Sequence, residues 1–304
     1  MTELSEMLKC GIIAVDKPRG PSSHQVTAWV QKLLNVQAGH GGTLDPMVSG
    51  VLIIMLGRAV KLAPVLLKHN KEYVALLRLH GDVERADVER IVEEFTGKVY
   101  QRPPRRSAVK RALRIRTIYD LEMLDMDGRL VLLRANCEAG TYIRSLCHHM
   151  GLALGVGGHM QELRRTRSGS MEEDKCCTMH DLKDACVAAD EGDTSRLMDL
   201  IYPVEDMLSG VPRIVIRDSA VDAICHGAVL AGVGVLSSEN HKKNENVAVM
   251  TEKGELICLA KSIASSEEYR PGKPGFVAAP EVVVMPRGTY AKGWATHQKP
   301  GQKA

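Results

Sequence analysis

The stretch that most constrains this chain is residues 38–51, where one carboxylate stands in a glycine-dense loop directly before a proline. The three glycines at 39, 41 and 42 allow unusual backbone conformations and let a bulky ligand approach the main chain. Pro46 fixes its own φ and favours an extended conformation at Asp45, which holds the carboxylate in place. This pattern favours a binding or catalytic site at Asp45. A surface turn capped by Asp45 is the alternative that the spacing alone leaves open.

The composition indicates an ordinary globular protein with room for two domains. Of its 304 residues, 44% are hydrophobic and 25% are charged, so the chain can bury a sizeable core. The formal net charge of +3 is too small to indicate a nucleic-acid partner by itself. The N-terminus is polar and no apolar run approaches ~20 residues, so the sequence predicts neither a signal peptide nor a membrane span.

A basic segment, residues 98–116, is the clearest local charge feature. It contains eight Lys or Arg residues and no Asp or Glu. A solvated surface and a contact with an RNA backbone both fit such a run. Arg105, Arg106 and Lys110 are the candidate RNA-binding side chains within it.

The eight cysteines predict reduced thiols and no metal site. No two of them form a C-x-x-C pair, and Cys176 and Cys177 are adjacent, which is a poor geometry for chelation. A chain of this size needs no disulfides to fold. His148 and His149 follow Cys147, but neighbouring helical side chains point about 100° apart, so core or surface positions are favoured over metal ligation.

Apolar periodicity and turn residues predict an α+β fold. The segment Asp127–Gly128 lies between two apolar runs and predicts a hairpin. Strands joined by hairpins and interspersed with helices favour a mixed, mostly antiparallel sheet with flanking helices. The predicted strands are 12–15, 72–80, 118–125 and 130–137, and the predicted helices are 82–95 and 142–154, with a glycine-rich stop at 155–158.

A further helix is predicted between the first strand and the Asp45 loop. Ser22 with Gln25 makes a capping box at its start. Apolar residues then recur at helical spacing and predict one buried stripe. These residues are Val26, Trp29, Val30, Leu33 and Leu34.

A change in composition near residues 209–212 marks a domain boundary. The predicted domains are 1–208, which contains the Asp45 loop, and 209–294, a small β-rich unit. The final segment, 295–304, is polar and predicts a disordered tail.

Seven short motifs run in order between residues 11 and 169. They are 11–18, 39–46, 71–73, 100–104, 107–111, 139–146 and 160–169. Together they resemble the TruB/dyskerin family of pseudouridine synthases, and most of all its archaeal, guide-RNA-dependent branch. Residues 217–221 and 285–290 resemble the start and end of a PUA domain. The resemblance implies a pseudouridine-synthase sheet followed by a small β-rich PUA pseudo-barrel that binds RNA.

The resemblance also implies the reaction, which converts uridine to pseudouridine in RNA without a cofactor or a metal. Asp45 is then the catalytic carboxylate, Arg144 the arginine that pairs with it, and Tyr73 the aromatic residue that stacks on the target base. From the residues alone, a surface ion pair is the usual role for an arginine such as Arg144, and a core position is favoured for Tyr73.

Three further residues match positions that the resemblance places near RNA. His40 matches a histidine beside the extruded nucleotide, and a histidine hydrogen-bonded within the loop is the alternative. Lys17 matches the lysine that supports the catalytic loop, with a structural or a phosphate-binding role. Arg164 belongs to a basic cluster for which RNA contact and a bridge within the core remain alternatives.

The function that the resemblance implies is that of the catalytic subunit of an H/ACA ribonucleoprotein acting on ribosomal RNA, with transfer RNA as a further substrate class. A stand-alone tRNA pseudouridine-55 synthase and a non-catalytic scaffold for guide RNA are the alternatives. The implied partners are guide RNA, a small zinc-binding protein, a Gly/Arg-type β-barrel protein and a kink-turn-binding protein. The short segment before the first strand and the absence of a Lys-rich tail favour an archaeal cytoplasm; a eukaryotic source would imply the nucleolus.

Overall fold

The structure, a computed structural model, describes residues 3–102 and 112–292. Contacts divide the chain into two compact units, Met1–Pro203 and Val204–Ala304. The composition change near residue 209 lies just beyond this division. The helices are α1 Glu3–Lys9, α2 Ser23–Leu34, α3 Ala63–Leu66, α4 Arg85–Glu94, α5 Ile143–Ala153, α6 Met179–Asp190, α7 Ser195–Asp199 and α8 Asp218–Cys225.

The first unit is built on a ten-stranded sheet. Its strands run in the spatial order β10-β1-β3-β8-β4-β7-β6-β5, with β2 beside β3 and β9 beside β8. They are β1 Gly11–Lys17, β2 Ala38–His40, β3 Ser49–Leu56, β4 Lys71–Leu79, β5 Gly97–Gln101, β6 Arg114–Asp127, β7 Leu130–Cys137, β8 Gly158–Ser168, β9 Met171–Glu172 and β10 Tyr202–Pro203.

The sheet is mixed and mostly antiparallel, as predicted. Strands β3 and β8 pair in parallel, with Ser49 opposite Arg164 and Gly50 opposite Arg165. The predicted hairpin is present as β6 and β7, in which Asp127 pairs with Leu130. Because a tight turn directs the chain back beside itself, a short local signal was enough to predict this pair.

Two hydrophobic clusters form the core of this unit. The first contains buried residues of β1, α2 and β3, among them Ile13 and Leu52. The second contains residues of β4, β7 and α5, among them Leu133 and Leu146. Tyr73 on β4 packs against both clusters, so it lies where the two halves of the sheet meet.

Helix α2 has the predicted cap but a narrower buried face than predicted. The Ser22 side chain accepts from the Gln25 backbone, and the Gln25 side chain accepts from the Ser22 backbone. Val26 and Val30 are fully buried, whereas Trp29 is 45% exposed. The Trp29 side chain points about 100° away from that of Val30 around the helix axis, outside the face that packs on the sheet. The prediction was therefore wrong for Trp29.

The second unit contains a six-stranded sheet in the order β12-β16-β15-β14-β11-β13. Strands β11 and β14 pair in parallel. This unit is β-rich, as predicted, with α8 as the single α-helix among its described residues, and its core has its own apolar residues, such as Val249 and Ile257. The strands are β11 Arg213–Ile216, β12 Leu230–Ala231, β13 Val235–Ser238, β14 Asn246–Met250, β15 Leu256–Ser262 and β16 Phe276–Val283.

The cysteines are all free thiols. Within residues 3–102 and 112–292, no group of three or more His, Cys, Asp or Glu side chains is placed to hold a metal ion. No helix of the described residues combines the length and the apolarity that crossing a bilayer requires.

Candidate active site

The loop that carries Asp45 joins β2 to β3 and is held by the buried Lys17 at the end of β1. The Lys17 ammonium donates to the carbonyls of Pro46 at 3.3 Å, Val48 at 2.7 Å and Pro18 at 2.8 Å. Burial lowers the pKa of Lys17, and the nearby Asp45 carboxylate opposes this shift. Because an ammonium has three protons to donate, these contacts use its full capacity to fix the main chain just after β1 and just after Asp45.

Ser23, at the start of α2, holds the residue directly before Asp45. Its hydroxyl donates to the Leu44 carbonyl at 3.0 Å and accepts from the Leu44 N–H at 2.8 Å. The side chain is fully buried. Sequence analysis missed this residue. The available signal was the pair of adjacent serines at a helix start, since an N-cap needs only one of them.

Arg165 on β8 also supports the loop that carries Asp45. Its Nε donates to the Val51 carbonyl at 2.7 Å, and its Nη2 donates to the Gly42 carbonyl at 3.1 Å. The residue is 1% exposed, so its charge is offset by carbonyl oxygens and by a hydrogen bond with Tyr73. Such multiple acceptors are what a buried guanidinium requires.

Asp45 and Arg144 form an ion pair across 99 residues of sequence. Arg144 is in the first turn of α5, and about half of each side chain is exposed, 51% for Arg144 and 56% for Asp45. The N-terminus of a helix also favours a nearby anion. The pair therefore orients a solvent-accessible carboxylate at the mouth of the site.

Tyr73 completes the centre of the site from β4. Burial is the largest influence on its hydroxyl and raises the pKa of Tyr73, while the Arg165 guanidinium opposes this shift. The Asp45 charge also raises the pKa of Tyr73, which places the two side chains in the same site. The phenol is consequently neutral at ordinary pH.

His40 borders the site at the end of β2. Its Nδ1 is buried without a hydrogen-bond partner among the described residues, and its ring lies edge-on to that of His24, with 4.8 Å between ring centroids. Burial, followed by the neighbouring His24, lowers the pKa of His40. His40 is therefore a neutral, polar wall of the site, and His24 is a neighbour that sequence analysis did not identify.

Arg164 lies next to Arg165 on β8 but is held by carboxylates. Its guanidinium makes two hydrogen bonds with Asp16, at 3.0 and 3.1 Å, and another with Glu173. The Asp16 hydrogen bond is the main cause of the raised pKa of Arg164. These contacts join β1, β8 and the segment after β9.

The structure thus brings Asp45, Tyr73 and Arg144 together, with Lys17 and His40 beside them. Arg164 is directed to its carboxylate partners. The remaining predicted residues, Arg105, Arg106 and Lys110, lie outside the described residues.

Comparison with known proteins identifies both units. Residues 31–143 match the family described as TruB family pseudouridylate synthase (N terminal domain), and 144–209 match the tRNA pseudouridylate synthase B C-terminal domain. Residues 212–284 match the PUA domain, and 2–27 match the DKCLD (NUC011) domain.

Similarity to individual proteins extends over nearly the whole chain. A probable tRNA pseudouridine synthase B of Methanosarcina barkeri is 52% identical over 292 residues, covering 95% of this chain and 86% of that protein. A solved H/ACA RNP bound to a substrate RNA containing 2'-deoxyuridine contains a chain with 44% identity and a TM-score of 0.90. The match covers 96% of this chain and 90% of that one. A chain of a Cbf5-Nop10-Gar1 complex has 47% identity and a TM-score of 0.89, covering 94% and 88%.

A pseudouridine-synthase sheet, a PUA domain and a held aspartate in the connecting loop define an RNA-modifying isomerase. The chain belongs to the TruB family of pseudouridine synthases, which isomerise uridine in RNA. The predictions of family, fold class and enzyme class are confirmed.

Proposed function

We propose that this chain is the catalytic subunit of a guide-RNA-dependent H/ACA ribonucleoprotein and isomerises uridines in ribosomal RNA, with transfer RNA as a further substrate class. The observation that carries the proposal is the chain-long similarity, at a TM-score of 0.90, to a protein solved in an H/ACA RNP with substrate RNA. The arrangement of Asp45, Arg144 and Tyr73 supports an intact catalytic role for this subunit.

In this proposal Asp45 acts on the sugar of a uridine that has left its base stack. The N1–C1′ bond breaks, the uracil turns, and a C5–C1′ bond forms while C5 gives up its proton to N1 or to water. Asp45 either attacks C1′ or stabilises an oxocarbenium or glycal intermediate. Both routes need an ionised carboxylate at a fixed position, and the bonds from Lys17 and Ser23 to the loop supply the fixed position.

Arg144 and Tyr73 have distinct roles in the proposal. Arg144 orients the Asp45 carboxylate through their ion pair and keeps a positive charge beside it. Tyr73 stacks on the target base, because a neutral phenol that packs against two apolar clusters offers a flat surface and little basicity.

Six residues are proposed to bind RNA. His40 occupies space beside the extruded base, and Lys17 and Arg164 position the loop and β8 against the RNA. Arg105, Arg106 and Lys110 contact the RNA backbone, because a run of eight cations without an acid favours phosphate contact. The proposed domain limits are 1–208, 209–294 and 295–304, and the PUA domain holds the end of the guide RNA.

We propose partners of the kinds present in the similar complexes. A complex of Cbf5 with Nop10 and Gar1 supports accessory subunits here, namely a small zinc-binding protein and a Gly/Arg-type β-barrel protein. A kink-turn-binding protein completes the proposed assembly. Relatives from archaea, those of Methanosarcina barkeri and Archaeoglobus fulgidus among them, support an archaeal cytoplasm as the place of action.

A second function is supported by the names of the relatives. Those with 48–52% identity are described as probable tRNA pseudouridine synthase B, which favours modification of transfer RNA without a guide. A non-catalytic scaffold for guide RNA is a third candidate.

One experiment separates the three. Pseudouridine formation would be measured on a short ribosomal RNA target with the accessory proteins, with and without a matching guide, and on transfer RNA. Asp45→Asn would be the control in each reaction. Activity that requires the guide supports the proposal. Activity on transfer RNA alone supports the stand-alone enzyme, and inactivity on both substrates supports the scaffold.

A further inference from the structure

A groove lies at the end of the first unit that is remote from Asp45. Two adjoining pockets of about 490 and 420 Å³ share Val36 and Gln37 in the segment between α2 and β2. The larger one is also bordered by the end of α1 and by the turn after β3. Together the two pockets make one continuous concave surface, which we call the α1–α2 groove.

Gly57 is the point at which the walls of the α1–α2 groove meet. Its φ is +53°, and a Cβ there would lie 2.2 Å from the Lys9 carbonyl oxygen. Its N–H donates to the Gln37 carbonyl at 2.8 Å. Three chain segments are therefore fixed against each other, and the groove is part of the folded structure.

The α1–α2 groove lies far from the catalytic carboxylate. Strand β1 begins after Lys9 at the groove and ends at Lys17, which holds the Asp45 loop. Strand β3 runs the other way, from the loop to Gly57. At about 3.3 Å per residue, seven residues separate the two sites by about 20 Å.

The lining of the α1–α2 groove is cationic. Lys9, Arg58 and Lys61 line the larger pocket and Lys32 lines the smaller one, and none of the described residues lining either pocket is acidic. The neighbouring carboxylate of Glu6 pairs with Lys9 at 2.9 Å. Four cations and no acid among the described lining residues give a concave surface that attracts a polyanion.

Amide and aromatic groups accompany these charges. Gln31, Asn35 and Gln37 line the groove, and amides of this kind can donate to phosphates and to base edges. Trp29 is not among the residues that line either pocket, but it lies three residues before Lys32 on α2, so the two side chains are surface neighbours and Trp29 stands at the edge of the groove. The indole is 45% exposed and offers a face for base stacking.

We infer that the α1–α2 groove binds the phosphate backbone of guide RNA, with Trp29 stacking on an unpaired base. This inference rests on the proposed function and adds a second contact surface to it. An acidic protein segment would satisfy the charges but would leave the exposed indole and the amides without a specific use. A guide RNA is also large enough to reach the groove while its target strand lies at Asp45, about 20 Å away.

The test compares two triple variants of the full chain. Lys32→Gln/Arg58→Gln/Lys61→Gln removes three groove charges, and Arg90→Gln/Lys183→Gln/Arg196→Gln removes three exposed charges elsewhere. Affinity for a guide-RNA hairpin would be measured from about 50 to 300 mM salt. The groove variant should bind at least about tenfold more weakly near 0.1 M salt, and its slope of log affinity against log salt should fall by about 2.

The aromatic contact has its own test. Trp29→Ala should weaken guide binding about fivefold or more with an unchanged salt slope, and Trp29→Phe should restore most of the affinity. A short substrate oligonucleotide, which reaches only the Asp45 site, should bind all variants equally. Equal weakening for the oligonucleotide and the guide would overturn the assignment to guide RNA.

Failure of the inference is distinguishable from failure of the proposed function. If the unmodified chain binds the guide and modifies its target, and the groove variant behaves like its charge-matched control, the groove inference alone is overturned. If the unmodified chain neither binds a guide nor shows guided activity, the proposed function fails first. At saturating guide RNA the groove variant should keep the unmodified rate of pseudouridine formation, because its substitutions lie away from Asp45.

Discussion

At the scale of single residues, Ser22 and Ser23 are adjacent and have different tasks. Ser22 caps α2, whereas Ser23 makes two hydrogen bonds to the main chain of Leu44, the residue before Asp45. Removing the Ser23 hydroxyl takes these hydrogen bonds away from the N–H and the carbonyl of Leu44. The loop is then held less firmly at the residue directly before Asp45. A displacement of about 1 Å at a reacting group can cost ~100-fold in rate.

We therefore predict that Ser23→Ala lowers kcat for pseudouridine formation by about 10- to 100-fold while KM for RNA stays nearly constant. Ser22→Ala is the matched control, since it removes the same group one residue earlier and should cost about 1 kcal/mol of stability without affecting kcat. Single-turnover kinetics at saturating RNA would measure both. Equal losses of kcat in the two variants would contradict a positioning role for Ser23.

A second prediction concerns Gly50, where β3 meets β8. With φ at +102°, a Cβ would lie 2.1 Å from the Arg165 carbonyl oxygen. Gly192 has nearly the same φ, +105°, but a Cβ added there would meet no atom of the described residues within 4 Å. Gly192→Ala should cost only the strain of a left-handed residue, about 1–2 kcal/mol, whereas Gly50→Ala should cost at least about 3 kcal/mol. Urea unfolding measures both, and similar values would refute the close approach.

At the scale of elements, the sequence predicted what depends on local signals. The capping box of α2, the β6–β7 hairpin and the alternating strand β4 each depend on residues close together in the chain. Strand β8 was missed, because its glycine-rich start also fits a helix stop and its arginines also fit a surface cluster. The Arg165 guanidinium can be buried because the carbonyls of Gly42 and Val51 accept hydrogen bonds from it. Both residues lie more than 100 positions before Arg165 in the sequence.

The start of β4 carries a buried lysine that makes stability depend on pH. Lys71 donates to the carbonyls of Leu67 and His69, and burial, followed by the Arg165 charge, lowers its pKa to about 8. The unfolded chain binds a proton at this group up to about pH 10.5, so between pH 8 and 10.5 it holds more protons than the folded chain. Stability from this group therefore rises with pH across that interval.

Comparison with Lys71→Met isolates this effect. The difference in unfolding free energy, wild type minus variant, should increase by about 2 kcal/mol between about pH 7.5 and 9.5, at ~1.4 kcal/mol per pKa unit. Buried thiols whose pKa is raised to about 12 act in the opposite direction above about pH 9, but they are common to both proteins and cancel, except at Cys137, whose pKa the Lys71 charge lowers. These thiols are Cys137, Cys147, Cys176, Cys177 and Cys258. A difference that does not vary with pH would show that burial does not lower the pKa of Lys71.

At the scale of the whole molecule, the catalytic and PUA units each have a core of their own. The clusters around Ile13 and Leu133 contain residues of the first unit only, and the cluster around Val249 contains residues of the second only. Local sequence patterns do not predict the strand order within either unit, because neighbouring strands such as β3 and β8 are more than 100 residues apart in the sequence. The composition change near residue 209 is a property of many residues together and does not depend on the strand order; the domain limits 1–208 and 209–294 stay a prediction.

Separate cores predict separable functions. A chain ending at Pro203, where the first unit ends, should retain a cooperative unfolding transition and the ion pair between Asp45 and Arg144. If the PUA domain holds the guide RNA, this shortened chain should bind guide RNA at least about tenfold more weakly, while a short substrate oligonucleotide binds with unchanged affinity. Circular dichroism and urea unfolding would first establish that the shortened chain is folded. Guide affinity equal to that of the full chain would then assign guide binding to the first unit alone, and the α1–α2 groove would become its principal contact.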